Sequence, residues 1–214
     1  NASQKFKDVS LEMAREISDN LGMFQEITGI PTGFENYDKR LGGFSSEGDL
    51  YIIAARPAMG KTTFAINCAY NAYRYFGVSG VFFSLEMSTK QICRKIISKE
   101  HDISTDDLKK NKLSQMQIEG VYDDLKSEVK SELIINDTAN ANISYIISEC
   151  HRLKESEGIK FVFIDYLQLI SCPQKATRDL EIGHISQKLK ELSKTLQIPV
   201  IALCQLSRSV ETRG

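Results

Sequence analysis

Short, nearly continuous apolar runs alternate along most of this chain with longer segments whose apolar residues recur at helical spacing. Runs that are apolar throughout are typical of parallel strands buried on both faces, and spacings of three and four residues are typical of helices. The predicted strands are residues 50–54, 81–85, 133–136, 161–165 and 200–204. The predicted helices between them are residues 63–75, 89–101, 114–130, 144–157 and 180–196.

This alternation predicts an α/β fold, with a twisted, mostly parallel sheet and helices on both of its faces. In such sheets a ligand binds outside the carboxyl ends of the strands. The residues that follow each predicted strand are therefore the first candidates for a functional site.

A separate helical pattern precedes the alternating region. Phe6, Val9, Met13 and Ile17 recur at helical spacing with charged residues between them, which predicts an amphipathic helix of about four turns. We expect a linker helix over residues 1–21, a linker over residues 22–33 and a main domain over residues 34–214. The spacing alone leaves open whether the apolar stripe of this helix packs on its own domain or on a neighbouring copy.

Composition narrows the class of protein only a little. The 214 residues are 42% hydrophobic and 26% charged, which is enough for one sizeable core. No apolar run approaches the length of a membrane span, and no signal-peptide pattern is visible. Five single cysteines without a C-x-x-C pair favour reduced thiols over disulfides or a zinc site. We therefore expect a cytoplasmic protein without a membrane partner. The net charge of −1 neither supports nor excludes DNA binding.

The segment after the first predicted strand has the pattern of a phosphate-binding loop. A strand, a tight loop and a helix N-terminus would aim several backbone N–H groups and the helix dipole at one point. There Lys61 would reach the β- and γ-phosphates of a nucleotide, and the Thr62 hydroxyl would bind Mg²⁺. Ala55 stands where the pattern has its first glycine, a position that need not require positive φ. The alternative is an ordinary turn that contains Gly-Lys-Thr. The predicted nucleotide-binding residues are Ala55, Arg56, Pro57, Ala58, Met59, Gly60, Lys61, Thr62 and Thr63.

Three other strands are followed by polar residues that suit phosphate chemistry. Asp165 ends an apolar strand and could hold Mg²⁺ together with Thr62, or it could simply cap the next turn. Glu86 could polarise the water that attacks the γ-phosphate, or it could cap the helix that begins near Ser88. Gln205 could sense the γ-phosphate through its amide, or it could be only a polar residue that leaves a strand.

The segment 171–179 follows the strand that ends at Asp165. It carries Lys175 and Arg178 and has no apolar anchor, so we expect a surface loop on the ligand side of the sheet. Because the net charge gives no general nucleic-acid signal, any contact with DNA would have to come from local loops.

Five segments together resemble the C-terminal motor domain of DnaB-type replicative DNA helicases. The similarity covers the chain from about Phe6 to its last residue. The segments are Gly29-Ile-Pro-Thr-Gly-Phe34, Ala55-Arg-Pro-Ala-Met-Gly-Lys-Thr-Thr63, Phe82-Phe-Ser-Leu-Glu-Met87, Ile164-Asp-Tyr-Leu-Gln-Leu-Ile170 and Val200-Ile-Ala-Leu-Cys-Gln-Leu-Ser-Arg208.

The resemblance implies a RecA-like core, a hexameric ring, and ATP with Mg²⁺ bound between subunits. It also implies 5′-to-3′ movement on single-stranded DNA, which the loops at residues 171–179 and 207–214 would contact. Primase and a helicase loader would be partners. In this family Lys61 and Thr62 match the phosphate and Mg²⁺ residues, Glu86 the catalytic glutamate, Asp165 the Walker B aspartate and Gln205 the γ-phosphate sensor. The first helix resembles the linker helix that docks on an adjacent subunit.

The chain also departs from the family pattern, because it stops at Gly214, before the last strands of such a domain. The basic residues that reach a neighbour's γ-phosphate would lie beyond that point. We therefore expect a fragment that binds nucleotide and, by itself, hydrolyses it slowly.

Two other functions use the same residues. A RecA-like recombinase or related DNA-dependent ATPase would form filaments rather than rings. A non-enzymatic nucleotide-binding assembly module would bind ATP without turnover, so that replacing Glu86 would change nothing.

Overall fold

The computed structural model describes residues 3–19, 21, 27–127, 129–171 and 177–206 of the chain. Its sheet has five strands in the order β1-β5-β4-β2-β3, and every pair is parallel. The strands are β1 Leu50–Ala55, β2 Gly80–Ser84, β3 Leu133–Asn136, β4 Phe161–Asp165 and β5 Val200–Gln205. Every residue of β2 and β4 is buried, as apolar strands covered on both faces should be.

Helices cover both faces of this sheet, so the predicted α/β class is confirmed. A one-turn 3₁₀ helix at Leu167–Leu169 follows β4. The α-helices of the described residues are α1 Phe6–Asp19, α2 Glu35–Leu41, α3 Lys61–Phe76, α4 Thr89–Glu100, α5 Thr105–Lys110, α6 Gln115–Lys126, α7 Ile143–Ser156 and α8 Arg178–Leu196.

Two apolar clusters, one on each face, make up the core. Alternate residues of a strand point to opposite faces, so neighbouring residues of β2 and β4 belong to different clusters. The first cluster joins α7 and α8 to the sheet and includes Ile146, Leu153, Ile185, Leu189, Val81, Phe83 and Ile164. The second joins α3 and α4 to the sheet and includes Ala65, Ile66, Ile92, Phe82, Phe163 and Leu203.

The two shortest helices, α2 and α5, lack a long apolar repeat and were not predicted. In α2 the stabilising feature is Asp38, which is 3% exposed and accepts hydrogen bonds from the backbone N–H groups of Thr32 and Gly33 at 3.0 and 2.9 Å. In α5 the Ser104 hydroxyl accepts from the backbone N–H groups of the first turn. Both helices therefore depend on polar side chains rather than on apolar periodicity.

Three predicted helix boundaries were wrong by two residues or more. Helix α3 begins at Lys61 instead of residue 63. Helix α6 ends at Lys126 instead of residue 130, because the Ser127 N–H turns back to the Asp124 carbonyl at 3.2 Å. Helix α8 begins at Arg178, so the predicted loop 171–179 is shorter at its C-terminal end. Arg178 is held there by an ion pair with Glu181 at 2.6 Å. Lys175 and residues 207–214 lie outside the described residues.

The region before α2 is tied to the main domain. Ile30 and Phe44 form an antiparallel bridge, and the Asn71 side chain of α3 donates to the Thr32 carbonyl at 3.0 Å. Helix α1 forms where the spacing predicts it, but none of its residues is buried. The division into linker helix, linker and main domain stays a prediction. Of the helices that the structure describes, none combines the length and apolar character needed to cross a membrane.

Candidate nucleotide-binding site

The loop between β1 and α3 is built around two residues with left-handed backbone. Gly60 has φ of 81° and directly precedes α3, and Ala58 has φ of 64°. A Cβ at Gly60 would meet no described protein atom within 4 Å, so conformation rather than protein crowding favours glycine there. The Ala58 conformation costs about 1 kcal/mol for a non-glycine residue, and strain of this kind clusters at ligand sites.

A cavity of about 480 Å³ opens directly above this loop. Ala55 does not line it. This residue is the last of β1, paired with Gln205, and it precedes the loop. A strand residue needs no positive φ, which explains why alanine is tolerated at the first position of the pattern. The lining residues are Arg56, Pro57, Ala58, Met59, Gly60, Lys61, Thr62, Thr63, Glu86, Met87, Lys95 and Gln205.

Asp165, at the end of β4, is fully buried next to the cavity-lining residues. Neither of its carboxylate oxygens accepts a hydrogen bond from the described residues. Burial raises the pKa of this carboxyl above its ordinary value, while the Thr62 hydroxyl and the Lys61 ammonium lower it in part and Glu86 raises it further. The lack of hydrogen bonds excludes the alternative that Asp165 caps the next turn. A buried carboxylate with free lone pairs beside a threonine hydroxyl fits a hard divalent cation such as Mg²⁺.

Lys61, the first residue of α3, has its Nζ 4.4 Å from the centre of the Tyr166 ring. The contact is a cation–π interaction, which stabilises the position of the ammonium by about 0.5–1 kcal/mol. Lys61 forms no ion pair with a carboxylate of the described residues. Its positive charge is therefore available to a phosphate in the adjacent cavity.

Glu86 lines the cavity two residues beyond β2 and does not cap α4. The two backbone N–H groups at the start of α4 have other partners. The Ser88 N–H donates to Gln91 Oε1 at 2.8 Å, and the Thr89 N–H donates to Asp137 Oδ2 at 2.8 Å. The capping alternative for Glu86 is therefore wrong, and its carboxylate accepts no hydrogen bond elsewhere in the described part of the chain.

Gln205 ends β5, and its side chain lines the cavity from the strand next to β1. The strand order explains the convergence of the site. Strands β1, β5, β4 and β2 are consecutive in the sheet, and their carboxyl ends carry the loop, Gln205, Asp165 and Glu86 respectively. The structure thus brings all the predicted catalytic and metal residues to one edge.

Lys95 is a cavity residue that the sequence analysis did not single out. It projects from α4, and its Nζ lies 3.5 Å from the Thr63 hydroxyl oxygen. Nothing local distinguishes it from Lys90 and Lys99 on the same helix. Its place in the site depends on the packing of α4 against α3, which no sequence pattern showed.

A parallel α/β sheet of this order, with a glycine loop and two carboxylates at its carboxyl edge, defines a P-loop nucleotide-binding protein of the RecA-like class. Comparison with known proteins agrees. Residues 29–214 match the family described as DnaB-like helicase C terminal domain. The chain therefore belongs to the DnaB-like helicase C-terminal domain family.

Individual relatives are consistent with this assignment. The replicative DNA helicase DnaC of Bacillus subtilis is 39% identical over 215 residues, which is 100% of this chain and 47% of the relative. A solved ATPase domain has a TM-score of 0.84 and 30% identity, covering 99% of this chain and 75% of that chain. A DnaB-like replicative helicase solved in a study of its interactions with primase has a TM-score of 0.79 and 30% identity, covering 100% of this chain and 51% of that chain. The chain thus spans about half the length of the curated relative it matches.

Proposed function

We propose that this chain is the ATP-hydrolysing motor domain of a replicative DNA helicase. The observation that carries the proposal is the convergence of Lys61, Thr62, Glu86, Asp165 and Gln205 at one edge of the sheet, around the cavity above the Gly60 loop. Membership of the helicase family favours this function over a filament-forming recombinase with the same core.

The residues of the loop would bind the triphosphate. Backbone N–H groups around Gly60 and the N-terminus of α3 present positive charge to phosphate oxygens. The Lys61 ammonium would contact the β- and γ-phosphates, and Thr62 with Asp165 would hold Mg²⁺. When bound, Mg²⁺ supplies charge neutralisation at the phosphates, which phosphoryl transfer requires. The unpaired oxygens of Asp165 support its part in this role.

Glu86 and Gln205 would act at the γ-phosphate end. The Glu86 carboxylate orients and polarises the attacking water, because it lines the cavity and has no other hydrogen-bond partner among the described residues. The Gln205 amide donates to the γ-phosphate and responds to its loss.

The proposed partners are single-stranded DNA and further copies of the chain in a hexameric ring that moves 5′ to 3′. The exposed apolar stripe of α1 supports a role in assembly, since Phe6 is 88% and Ile17 65% exposed. The solved relative studied with primase supports primase as a partner. A helicase loader and a cytoplasmic location complete the proposal.

Substitution of Glu86 by glutamine tests this function directly. Glu86→Gln should lower the ATP hydrolysis rate of the full-length protein at least about 100-fold, because a general base contributes that much or more. ATP binding should be retained, since glutamine has the size of glutamate. The measurements are phosphate release with and without single-stranded DNA, and binding of a fluorescent ATP analogue.

The matched control is Glu155→Gln, which makes the same change on the exposed surface of α7 and should leave turnover unaltered. Unchanged turnover in Glu86→Gln would favour the non-enzymatic assembly module. An ATPase rate that does not respond to single-stranded DNA would contradict the helicase proposal.

A further inference from the structure

Gln168 lies in the 3₁₀ turn that follows Asp165. Its neighbours Leu167 and Ile170 are each 1% exposed and belong to the core cluster of α7 and α8. The Ile170 N–H donates to the Leu167 carbonyl at 3.1 Å. The turn is therefore fixed relative to the sheet, and the Gln168 side chain projects from a rigid base.

The pairing of β4 with β5 ends before Gln205 is reached. The last β4–β5 pair is Ile164 opposite Ala202, whereas β1 pairs with β5 as far as Ala55 opposite Gln205. On the β1 side, the Leu206 N–H donates to the Ala55 carbonyl at 3.1 Å. Successive residues of a strand direct their N–H and C=O groups to opposite sides, so those of Gln205 point to the side where β4 has ended. Without another partner they would lack a strand to pair with.

The side-chain amide of Gln168 replaces this missing strand. Its Nε2 donates to the Gln205 carbonyl at 3.0 Å, and its Oε1 accepts from the Gln205 N–H at 3.2 Å. The same Nε2 lies 3.1 Å from Cys204 Sγ. A primary amide carries a donor and an acceptor in one plane, so it can pair with both backbone groups of a single residue.

Fixing the backbone of Gln205 also fixes the direction of its side chain. Side chains alternate along a strand, so Cys204 packs against the α7–α8 cluster while Gln205 lines the nucleotide cavity. Arg178, at the start of α8, donates to the Gln168 carbonyl and pairs with Glu181. These contacts fix the main chain of Gln168, from which its side-chain amide projects.

We propose that Gln168 is a positioning residue of the nucleotide site, whose amide clamps the Gln205 backbone and so aims the Gln205 side chain at the γ-phosphate. This inference rests on the proposed function, because it takes Gln205 as a phosphate contact. Loss of the clamp lets the Gln205 side chain leave the γ-phosphate end. The loop around Gly60, which binds a diphosphate as well as a triphosphate, stays intact.

The test compares triphosphate with diphosphate binding in Gln168→Leu, which keeps the side-chain size and removes the amide. In the full-length protein, the ratio of affinities for a non-hydrolysable ATP analogue and ADP should fall about tenfold, the effect of one lost hydrogen bond to a charged group. ADP affinity should change less than about twofold, because ADP has no γ-phosphate for the Gln205 side chain to contact. The control is Gln187→Leu, since Gln187 bonds only to Glu191 on the exposed face of α8 among the described residues.

A double substitution separates positioning from general damage. If Gln168 acts through Gln205, Gln168→Leu combined with Gln205→Ala should be no worse than Gln205→Ala alone, because a contact can be lost only once. Independent structural damage would instead add to the loss. If Gln168→Leu fails to fold, Gln168→Glu serves in its place: it keeps the acceptor for the Gln205 N–H and lacks the donor for the carbonyl.

Each outcome decides between the two proposals. A wild-type protein that binds neither nucleotide would overturn the proposed function and the clamp together. Normal wild-type binding with an unchanged preference in the Gln168 variants would overturn the clamp alone. Equal losses for ADP and the ATP analogue, or additive losses in the double variant, would also reduce Gln168 to a structural residue.

Discussion

Burial of the Asp165 carboxylate destabilises the ligand-free folded chain. Its place in the proposed Mg²⁺ site explains why a carboxylate lies there. The carboxylate is fully buried and accepts no hydrogen bond from the described residues, and burial is the main cause of its raised pKa. A raised pKa means that the folded state binds more protons than the unfolded state. The free energy of unfolding therefore falls as pH rises above the ordinary Asp value of 3.8, until the folded group has also ionised. A bound cation would remove this cost.

Asp165→Asn should therefore stabilise the ligand-free protein at neutral pH. Removing an unpaired buried charge should raise the melting temperature by about 2–4 °C, which corresponds to about 1 kcal/mol in a chain of this size. The difference from wild type should disappear below pH 3.8, where the wild-type group is protonated in the folded and the unfolded state. Thermal unfolding followed at several pH values is the measurement.

The same variant should lose its response to magnesium. Wild type should be further stabilised when Mg²⁺ is added with nucleotide, and Asp165→Asn should not be. A variant that is less stable than wild type at neutral pH, or equally responsive to Mg²⁺, would contradict the assignment of Asp165.

Lys95 illustrates how a single charge can belong to a site without belonging to a motif. Its ammonium lies beside the Thr63 hydroxyl, and its side chain lines the cavity together with Met87. No ion pair is formed with the described carboxylates. An uncompensated cation that faces a proposed phosphate site favours a more highly charged ligand.

Lys95→Ala should weaken binding of the ATP analogue about tenfold, because a hydrogen bond to a charged group is lost. Lys90→Ala removes the same charge from an exposed position of α4 and should change binding by less than about twofold, the effect of a surface charge screened by salt. Nucleotide titrations at low and high salt distinguish the two. Equal effects of the two substitutions would show that Lys95 acts only through net charge.

At the level of elements, α1 contrasts with the helices of the core. Helices α3, α4, α7 and α8 all bury apolar side chains against the sheet, whereas α1 buries none. Its exposed apolar residues include Phe6, Met13 and Ile17, with exposures of 88%, 56% and 65%. An isolated helix of this length is marginally stable in water, and most helices gain stability by packing an apolar face. A second copy of the chain is the proposed cover for this stripe.

Met13→Glu should therefore weaken assembly of the full-length protein. A charge in the centre of an apolar interface is expensive to bury, so the apparent mass by light scattering should shift toward smaller species. The control is Ser18→Glu, which adds the same charge to α1. The helical repeat places Ser18 about a quarter of a turn or more away from the apolar stripe, so this variant should leave the mass unchanged. Identical masses for both variants and wild type would remove α1 from the interface.

At the scale of the whole molecule, the order of the strands in the sheet determines where the candidate site residues come together. The chain forms β1 and β2 consecutively, yet β5 and β4 lie between them in the sheet. The ends of these four strands consequently surround one cavity, although the residues that they carry are spread along the chain from Ala55 to Gln205. The opposite edge of the sheet carries none of the predicted site residues.

Nucleotide bound at the carboxyl edge of the sheet should therefore raise the free energy of unfolding and protect that edge. Saturation to about 100 times Kd contributes about 2.7 kcal/mol, which should raise the melting temperature by about 5–10 °C. Hydrogen exchange should slow around the Gly60 loop and at the carboxyl ends of β4 and β5. Protection that appears instead at the amino ends of the strands would place the ligand elsewhere.

The sequence predicted most of this arrangement, and the failures share a cause. The five strands and the long helices follow apolar periodicity, so each was recognisable. Helices α2 and α5 were missed because Asp38 and Ser104 stabilise them through hydrogen bonds, which leave no periodic signal. The ends of α6 and α8 depend on single backbone and ion-pair contacts, so the spacing could not predict them.

By itself the sequence determined the fold class, the phosphate-loop pattern and the family, because these depend on local spacing and on residues adjacent in the chain. Only the tertiary structure decided that Asp165 is buried without a hydrogen bond, that Glu86 leaves the capping of α4 to Gln91 and Asp137, and that Lys95 faces the cavity. The pairing of the Gln168 side chain with the Gln205 backbone was likewise decided only by the tertiary structure. Each of these depends on which groups distant in the chain become neighbours, and that is set by sheet order and helix packing rather than by local pattern.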